Sequence, residues 1–472
     1  VSARVRIMGE DVSPAQSHPL AAPSARAAAA TYDMACDPAF SGLFTATSFL
    51  TGKTVNRFTH LHASAADLVD KVAMQRACGR KTGCCFQRCV GMDAANAVFS
   101  TTYEIDEARG TSYHQRFRAF WAEVQEKDLM VDGAMTDPKG DRGKRPGEQD
   151  DPDLYVRVAG RKDGGIVVRG AKLHQTGMVN SHWMIVMPTM SMRPGEEEYA
   201  VCFALPVNAP GVLHFYGRQA SDTRRLETRP ADCGNPVFGG QEIMTVFEDV
   251  FVPEQHVFLD GEVEFSGTLV ERFAGYHRQS YGGCKTGVGD LLIGAAALIA
   301  EMNGVARASH IRDKLVEMVH LNETLYACGV ACSAAGKPRP AGNWEIDQLL
   351  ANVCKQNVTR FPYEIARLAT DIAGGLLGTL PPASDLDDPV AGPYLRKYLA
   401  GAAGAEDRIK VLRLIENLVA GSGAVGYLIE SMHGAGPPQA QRVMIARQAD
   451  LEAKTALVKS LLGISGKSRP GR

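Results

Sequence analysis

Hydrophobic periodicity changes twice along this chain, and that change constrains the fold more than any single motif. From Ser64 to about Val124, segments such as 65–76 and 117–124 carry apolar residues at the three- and four-residue spacing of amphipathic helices. Between about Leu154 and Glu262 the pattern turns to short β-rich runs broken by turn residues, with strands expected at 154–159, 165–169, 183–187, 199–205, 212–216 and 244–252. The first two flank Arg161-Lys162-Asp163-Gly164, whose Asp-Gly pair signals a tight hairpin. After about Ser266, helical spacing returns over 291–302, 311–328, 346–373, 407–419 and 440–462. Pro362 is expected to kink or split the third of these, because proline cannot donate within a helix and clashes with the preceding turn. The expected order is helices, then a sheet or barrel, then a helical bundle.

The length, 472 residues, suits two or three domains. A net charge of −2 leaves no electrostatic footprint for nucleic acid or an anionic membrane. The most apolar stretch, 291–300, is ten residues long against the roughly 20 that cross a bilayer, so it reads as a buried helix. No secretory signal is seen near the start, and residues 463–472 read as a frayed tail. Eleven cysteines cannot all pair, which favours a reducing, cytoplasmic compartment and poses the question of which thiols do chemistry.

Three motifs are set aside. Gly421-Ser422-Gly423-Ala424-Val425-Gly426 matches the dinucleotide fingerprint in letters, but helical periodicity precedes it where a strand is required. Glu430 and His433 are three apart, yet Gly434, Gly436 and Pro437 end any helix there. Cys328 and Cys332 sit in an apolar helix with no polar ligand nearby and read as core thiols.

Cys84-Cys85-Phe86-Gln87-Arg88-Cys89 differs, because Arg80, Lys81 and Arg88 lie beside its thiols and positive charge favours thiolate. If the segment is helical, Cys85 and Cys89 share a face and Cys84 points elsewhere. Seven residues separate His277 from Cys284, about 10.5 Å along an unbroken helix and too far for one zinc ion. Either Gly282-Gly283 breaks the helix, or the bound object is larger than an ion, as an iron–sulfur cluster is.

At these residues the chain resembles the 4-hydroxybutyryl-CoA dehydratase family, whose C-x-x-x-C and H-x6-C segments hold one [4Fe-4S] cluster. Cys85, Cys89, His277 and Cys284 match those ligands. The likeness also runs through Gly91–Ala94, Thr101–Asp106, Val131–Arg142, Phe238–Glu242, Glu271–Lys285 and Glu430–Gly436. The wider flavin family includes 4-hydroxyphenylacetate monooxygenases, which lack the four ligands. The resemblance implies an α+β, acyl-CoA dehydrogenase-like fold: an N-terminal helical domain (1–135), a middle β-barrel domain (136–265) and a C-terminal helical bundle (266–472). It implies FAD beside Met135, Thr136, Asp137, Lys139, Asp141, Arg142, His174, Gln175 and Thr176. Thr176 is similar to the residue that approaches flavin N5, and Gly374-Gly375 to a turn receiving the adenine end from a neighbouring subunit. A homotetramer, a dimer of dimers acting on an acyl-CoA, is implied as well, without nucleic-acid or membrane partners.

The implied reaction takes 4-hydroxybutyryl-CoA to crotonyl-CoA and water, with vinylacetyl-CoA Δ-isomerisation as a related activity. The thioester acidifies C2–H, whereas hydroxide leaves from C4 across an unactivated C3–H. Ordinary elimination therefore fails, and one-electron chemistry with a Lewis-acidic iron is implied. His277 is the candidate base and ligand, Tyr281 a hydrogen-bond donor, and Lys285 a charge stabiliser. Glu242 and Glu430 are the matching carboxylates and Gln87 a pocket residue. The competing reading is a flavin-dependent aromatic monooxygenase, which has no use for the Cys/His set.

Overall fold

The computed structural model describes residues 3–227 and 229–464; the expected frayed tail beyond Ile464 lies outside the described residues. The helices Ala22–Cys36, Ala65–Thr82, Cys89–Arg109 and Tyr113–Glu126 come first. The Ser64 hydroxyl caps the second by accepting from the Asp67 N–H, satisfying one of the unpaired donors of a helix start.

The β region is two open sheets. The larger runs Glu10–Val12, Val5–Ile7, Val212–Gly217, Glu242–Pro253, Gly165–Thr176, Arg157–Lys162, and the smaller Val257–Asp260, Val201–Pro206, Trp183–Val186, Val131–Ala134. Neither order returns to its first strand, so the expected middle β-barrel is corrected to two packed open sheets. The larger sheet also gains an edge from outside the expected β region: Val5–Ile7 pairs parallel to Val212–Gly217, with Arg6 opposite Phe215, and three residues are too few to show a period. Phe203 of one sheet meets Phe247 of the other edge to face at 6.1 Å in the core between them. The Asp163-Gly164 hairpin forms as expected, pairing Lys162 with Gly165.

The C-terminal region centres on one 40-residue helix, Val263–Met302. The ten-residue apolar stretch is only its last quarter. The whole helix is long and apolar enough to cross a membrane, yet 67% of its most apolar window is buried inside this fold, as suits a core helix. Pro362 splits 346–373 into Gln348–Val358 and Phe361–Ala373, and a left-handed Asp450 (φ 41°) separates Pro438–Gln448 from Leu451–Leu461.

The long helix meets its neighbours backbone to backbone. A Cβ at Gly283 would lie 2.4 Å from the Val72 carbonyl oxygen, and one at Gly287 2.3 Å from that of Arg76, both on the Ala65–Thr82 helix. A Cβ at Gly282 would lie 2.6 Å from Gly329 Cα on the Ser309–Ala334 helix. Gly282-Gly283 therefore does not break the helix; it lets other helices touch it. Gly283→Ala is expected to lower stability by about 1–3 kcal/mol, because backbone cannot yield. Gly294→Ala, on the same helix with open space around it, is expected to raise stability by up to about 1 kcal/mol. Chemical denaturation of both variants checks the contrast, and equal effects would contradict it.

Candidate functional site

Cys85 lies in the loop between Ala65–Thr82 and Cys89–Arg109, and Cys89 is the first residue of the second helix. The two are therefore not on one helical face, because a left-handed Gln87 (φ 74°) turns the chain between them. The flanking cations also face elsewhere. The Arg88 guanidinium lies 3.8 Å from the centre of the Tyr32 ring and pairs with Asp128 at 3.3 Å, Arg80 pairs with Asp290, and Lys81 is exposed. Burial pushes the Cys85 and Cys89 thiols well above their ordinary range and Cys284 up to about 11, opposed by Lys285. These three thiols lie close enough to raise one another, whereas Cys84 is pushed up to about 12 by burial and sits near Arg225. All eleven cysteines are free.

The unbroken helix settles the geometry of the other half. His277, Tyr281 and Cys284 fall at i, i+4 and i+7 on one face, with His277 and Cys284 two turns apart. Among the described residues no three His, Cys, Asp or Glu side chains converge on a single-ion site. The His277 ring stacks on Phe273 (5.7 Å between centres, 9° between planes) and meets Tyr281 edge to face at 5.0 Å.

His277 Nδ1 lies 2.8 Å from Asp93 Oδ2, a partner that sequence reasoning missed. Asp93 is fully buried, takes a hydrogen bond from Ser280 at 2.9 Å and pairs with the fully buried Lys71 at 2.5 Å. Lys71 also donates to the Tyr276 carbonyl and to Gln279 Oε1. Burial would raise the Asp93 carboxyl, but Lys71 and His277 outweigh it and hold it below its ordinary value. The available signal was spacing: Asp93 follows Cys89 by four residues on one helix.

Glu242 reaches the site because its strand pairs Glu242 with Thr176, whose hydroxyl lies 2.7 Å from Glu242 Oε1. Burial, then the charge of Glu430, pushes the Glu242 carboxyl well above its ordinary value. Glu430 Oε1 is buried with no hydrogen-bond partner. Lys285 donates to the other Glu430 oxygen at 2.6 Å and to the Gly426 carbonyl at 2.5 Å. Gly426 belongs to a π-helical turn, Val425–Ile429, and a Cβ there would lie 3.4 Å from Cys85 Cβ. Lys355, also missed, donates to the Ser431 carbonyl, and burial holds its ammonium well below the ordinary value. Lys285 and Lys355 each lie 4.7 Å from the centre of the Tyr281 ring. Gln87 is held in place, accepting from Asn180 at 2.8 Å and donating to the Ser24 carbonyl at 3.0 Å.

The residues expected to line a flavin have mixed fates. Asp137 is committed to a buried pair with Lys172 at 2.9 Å, and Asp141 and Arg142 are exposed. The Leu173 N–H donates to the Thr136 carbonyl, Met135 and Lys139 are half-buried, and Lys139 and His174 are left-handed (φ 73° and 59°). Gln175 is buried with its Oε1 unpartnered. Gly374 and Gly375 are solvent-facing at the end of Phe361–Ala373, with open space around both. Of the motifs set aside, Gly421–Gly426 follows the helix Ala405–Val419 and not a strand, and the Glu430–His433 helix stops at Gly434.

The sequence models of the 4-hydroxyphenylacetate 3-hydroxylase N-terminal and C-terminal regions match residues 2–259 and 266–463. The chain belongs to that family, within its 4-hydroxybutyryl-CoA dehydratase branch. It is 56% identical, over 98% of its length and 97% of the relative's, to the 4-hydroxybutyryl-CoA dehydratase/vinylacetyl-CoA-Δ-isomerase of Clostridium aminobutyricum. It superposes with a TM-score of 0.97, at 53% identity over 100% of this chain and 94% of the other, on an oxygen-tolerant archaeal 4-hydroxybutyryl-CoA dehydratase from N. maritimus. A 4-hydroxyphenylacetate 3-monooxygenase oxygenase component complexed with FAD shares the fold at TM-score 0.85 and 23% identity, covering 98% and 95% of the two chains. Glutaryl-CoA dehydrogenase reaches only 0.50. The expected acyl-CoA dehydrogenase-like fold is corrected accordingly to that of the hydroxylase and dehydratase family.

Asp132 is fully buried with both carboxyl oxygens unpartnered, and burial pushes it up to about 7. A raised folded value means the folded chain keeps a proton that the unfolded chain gives up. The neutral acid is stable in the fold at low pH, and stability falls as pH rises through about 7, by roughly 4 kcal/mol in full. Asp132→Asn is expected to unfold less readily than the parent at pH 8, with the gap shrinking towards pH 4. Denaturation at several pH values checks this, and a gap independent of pH would contradict it.

Proposed function

We propose that this chain dehydrates 4-hydroxybutyryl-CoA to crotonyl-CoA and isomerises vinylacetyl-CoA, with a [4Fe-4S] cluster and FAD as resident cofactors. The observation that carries this reading is the meeting of Cys85, Cys89, Cys284, His277, Glu242 and Glu430 in one buried region. It occurs in a chain 56% identical to a dehydratase/isomerase. The donor set fits a cluster: three thiols and one imidazole, spread too widely for one ion, in a pocket where the thiols stay protonated unless a cationic guest holds them. FAD is supported by the family fold, the left-handed Lys139 and His174, and the unpartnered Gln175 Oε1 beside Thr176.

When bound, the flavin supplies one-electron redox chemistry and the cluster a Lewis-acidic iron. The chain's own residues handle protons and position. His277 Nε2, the ring nitrogen not bonded to Asp93, would take the C2 proton once displaced from iron, since its one lone pair cannot serve both at the same time. Glu242, pushed well above its ordinary value by burial and then by Glu430, is suited to give a proton to the departing C4 hydroxyl. Glu430, anchored by Lys285, serves as the adjoining acceptor. Two protons leave C2 and C3, one returns to the hydroxyl and one to C4, so the site ends with its starting proton count. Isomerisation needs only C2 deprotonation and C4 reprotonation. Burial pushes the Tyr281 phenol well above its ordinary value, which suits it as a hydrogen-bond donor, with the Lys285 and Lys355 side-chain nitrogens over its ring. Gly374-Gly375 takes the adenine end of FAD from a neighbour in a homotetramer.

Anaerobically purified protein is expected to carry about four irons and one flavin per chain and to form crotonyl-CoA from 4-hydroxybutyryl-CoA. Ser in place of Cys85, Cys89 or Cys284 is expected to remove most of the iron, whereas Cys84→Ser leaves it nearly unchanged. An iron-free flavoprotein that hydroxylates a phenol with oxygen would overturn the reading in favour of the monooxygenase.

A further inference from the structure

His277 is the one expected cluster ligand that is not a thiol, and an imidazole presents a lone pair only from the nitrogen that carries no proton. Which nitrogen that is depends on the partner of the other. Asp93 Oδ2 lies 2.8 Å from Nδ1, and an ionised carboxylate only accepts, so the proton belongs on Nδ1 and the lone pair on Nε2. The Asp93 side chain is itself fixed on both oxygens. Lys71 occupies Oδ1 at 2.5 Å, and Ser280 joins His277 on Oδ2 at 2.9 Å. Lys71 in turn is immobilised by the Tyr276 carbonyl at 3.0 Å and Gln279 Oε1 at 2.8 Å, with no solvent exposure. Every group in this chain of contacts comes from one of three helices, Ala65–Thr82, Cys89–Arg109 and Val263–Met302.

We infer that Asp93, held by Lys71, is a positioning residue that fixes the His277 tautomer and ring orientation so that Nε2 is the atom offered to iron. The inference rests on the reading of His277 as ligand and base. Outer-shell carboxylates on ligating histidines act in this way generally, and their loss costs about 10–100-fold in metal affinity or activity.

The geometry makes a sharper demand than simple loss of a contact. In Asp93→Asn the side chain keeps its shape but has one acceptor and one NH2 group. Lys71 needs the acceptor, so the amide oxygen turns to Lys71 and the NH2 faces His277 Nδ1. Nδ1 must then accept, the proton moves to Nε2, and the lone pair offered to iron disappears. Adding Lys71→Met removes the ammonium, lets the amide rotate its oxygen towards Nδ1, and restores the original tautomer.

The test uses ¹⁵N-histidine-labelled holoenzyme, reduced, with the histidine nitrogen coupling to the cluster read by pulsed electron paramagnetic resonance beside kcat and KM. The parent is expected to show the coupling. Asp93→Asn is expected to lose it, with kcat down about 10–100-fold, KM little changed and flavin retained. The double variant with Lys71→Met is expected to regain the coupling and much of the rate. Coupling and kcat unchanged in Asp93→Asn would overturn this inference alone, leaving the ligand reading intact. No coupling in the parent would overturn the ligand reading and this inference with it. Loss of fold in Asp93→Asn, unrescued by Lys71→Met, would assign Asp93 to the core and overturn the positioning role.

Discussion

The site depends on how closely two helices can approach. Gly79, Gly283 and Gly287 remove the side chains between Ala65–Thr82 and Val263–Met302, so that a Cβ at Gly79 would lie 2.8 Å from the Cys284 carbonyl. That contact sets the depth at which the His277–Tyr281–Cys284 face sits against the Cys85–Cys89 loop. A methyl group at the seam would push the faces apart, and a donor set misplaced by an ångström no longer matches its guest. Gly282 on the adjoining face lets Ser309–Ala334 close from the other side. The glycine pair that seemed able to break the helix instead keeps it straight and crowded.

Burying this much charge is costly unless each group is paired. Lys71 with Asp93, Lys285 with Glu430, and Lys172 with Asp137 are buried pairs supplied by different elements. Near Cys85 and Cys89, Glu430 Oε1 has no hydrogen-bond partner, and burial with the charge of Glu430 pushes the Glu242 carboxyl well above its ordinary value. The three thiols share that region, protonated by burial in the bare chain. This pattern suits a site that is completed by a cationic guest.

Much of this was legible in the sequence, and the misses have physical causes. Periodicity located the β region and the helical bundle, and Pro362 and Asp163-Gly164 acted as their chemistry requires. The cysteine and histidine spacings pointed to a loop and a helix that the fold brings together. Periodicity does not report how strands close, so two open sheets passed for a barrel, and the three-residue strand Val5–Ile7 left no pattern to find. Cations adjacent in sequence suggested activated thiols at Cys85 and Cys89, yet Arg88 and Arg80 turn to Tyr32 and Asp290. The cation that matters there, Lys285, comes from almost two hundred residues away. Asp93, Lys71 and Lys355 were missed because a charged residue within a helix normally faces water, and only the packed structure shows that these do not.

The central claim is that Cys85, Cys89, Cys284 and His277 hold one cluster beneath Glu242 and Glu430. The most direct measurement is an anomalous difference map at the iron edge from crystals of the anaerobically prepared protein. The account predicts a single compact iron feature bounded by the three Sγ atoms and His277 Nε2. Iron lodged at the Cys328, Cys332 and Cys354 thiols, or no iron density between the Cys85–Cys89 loop and the Val263–Met302 helix, would contradict it.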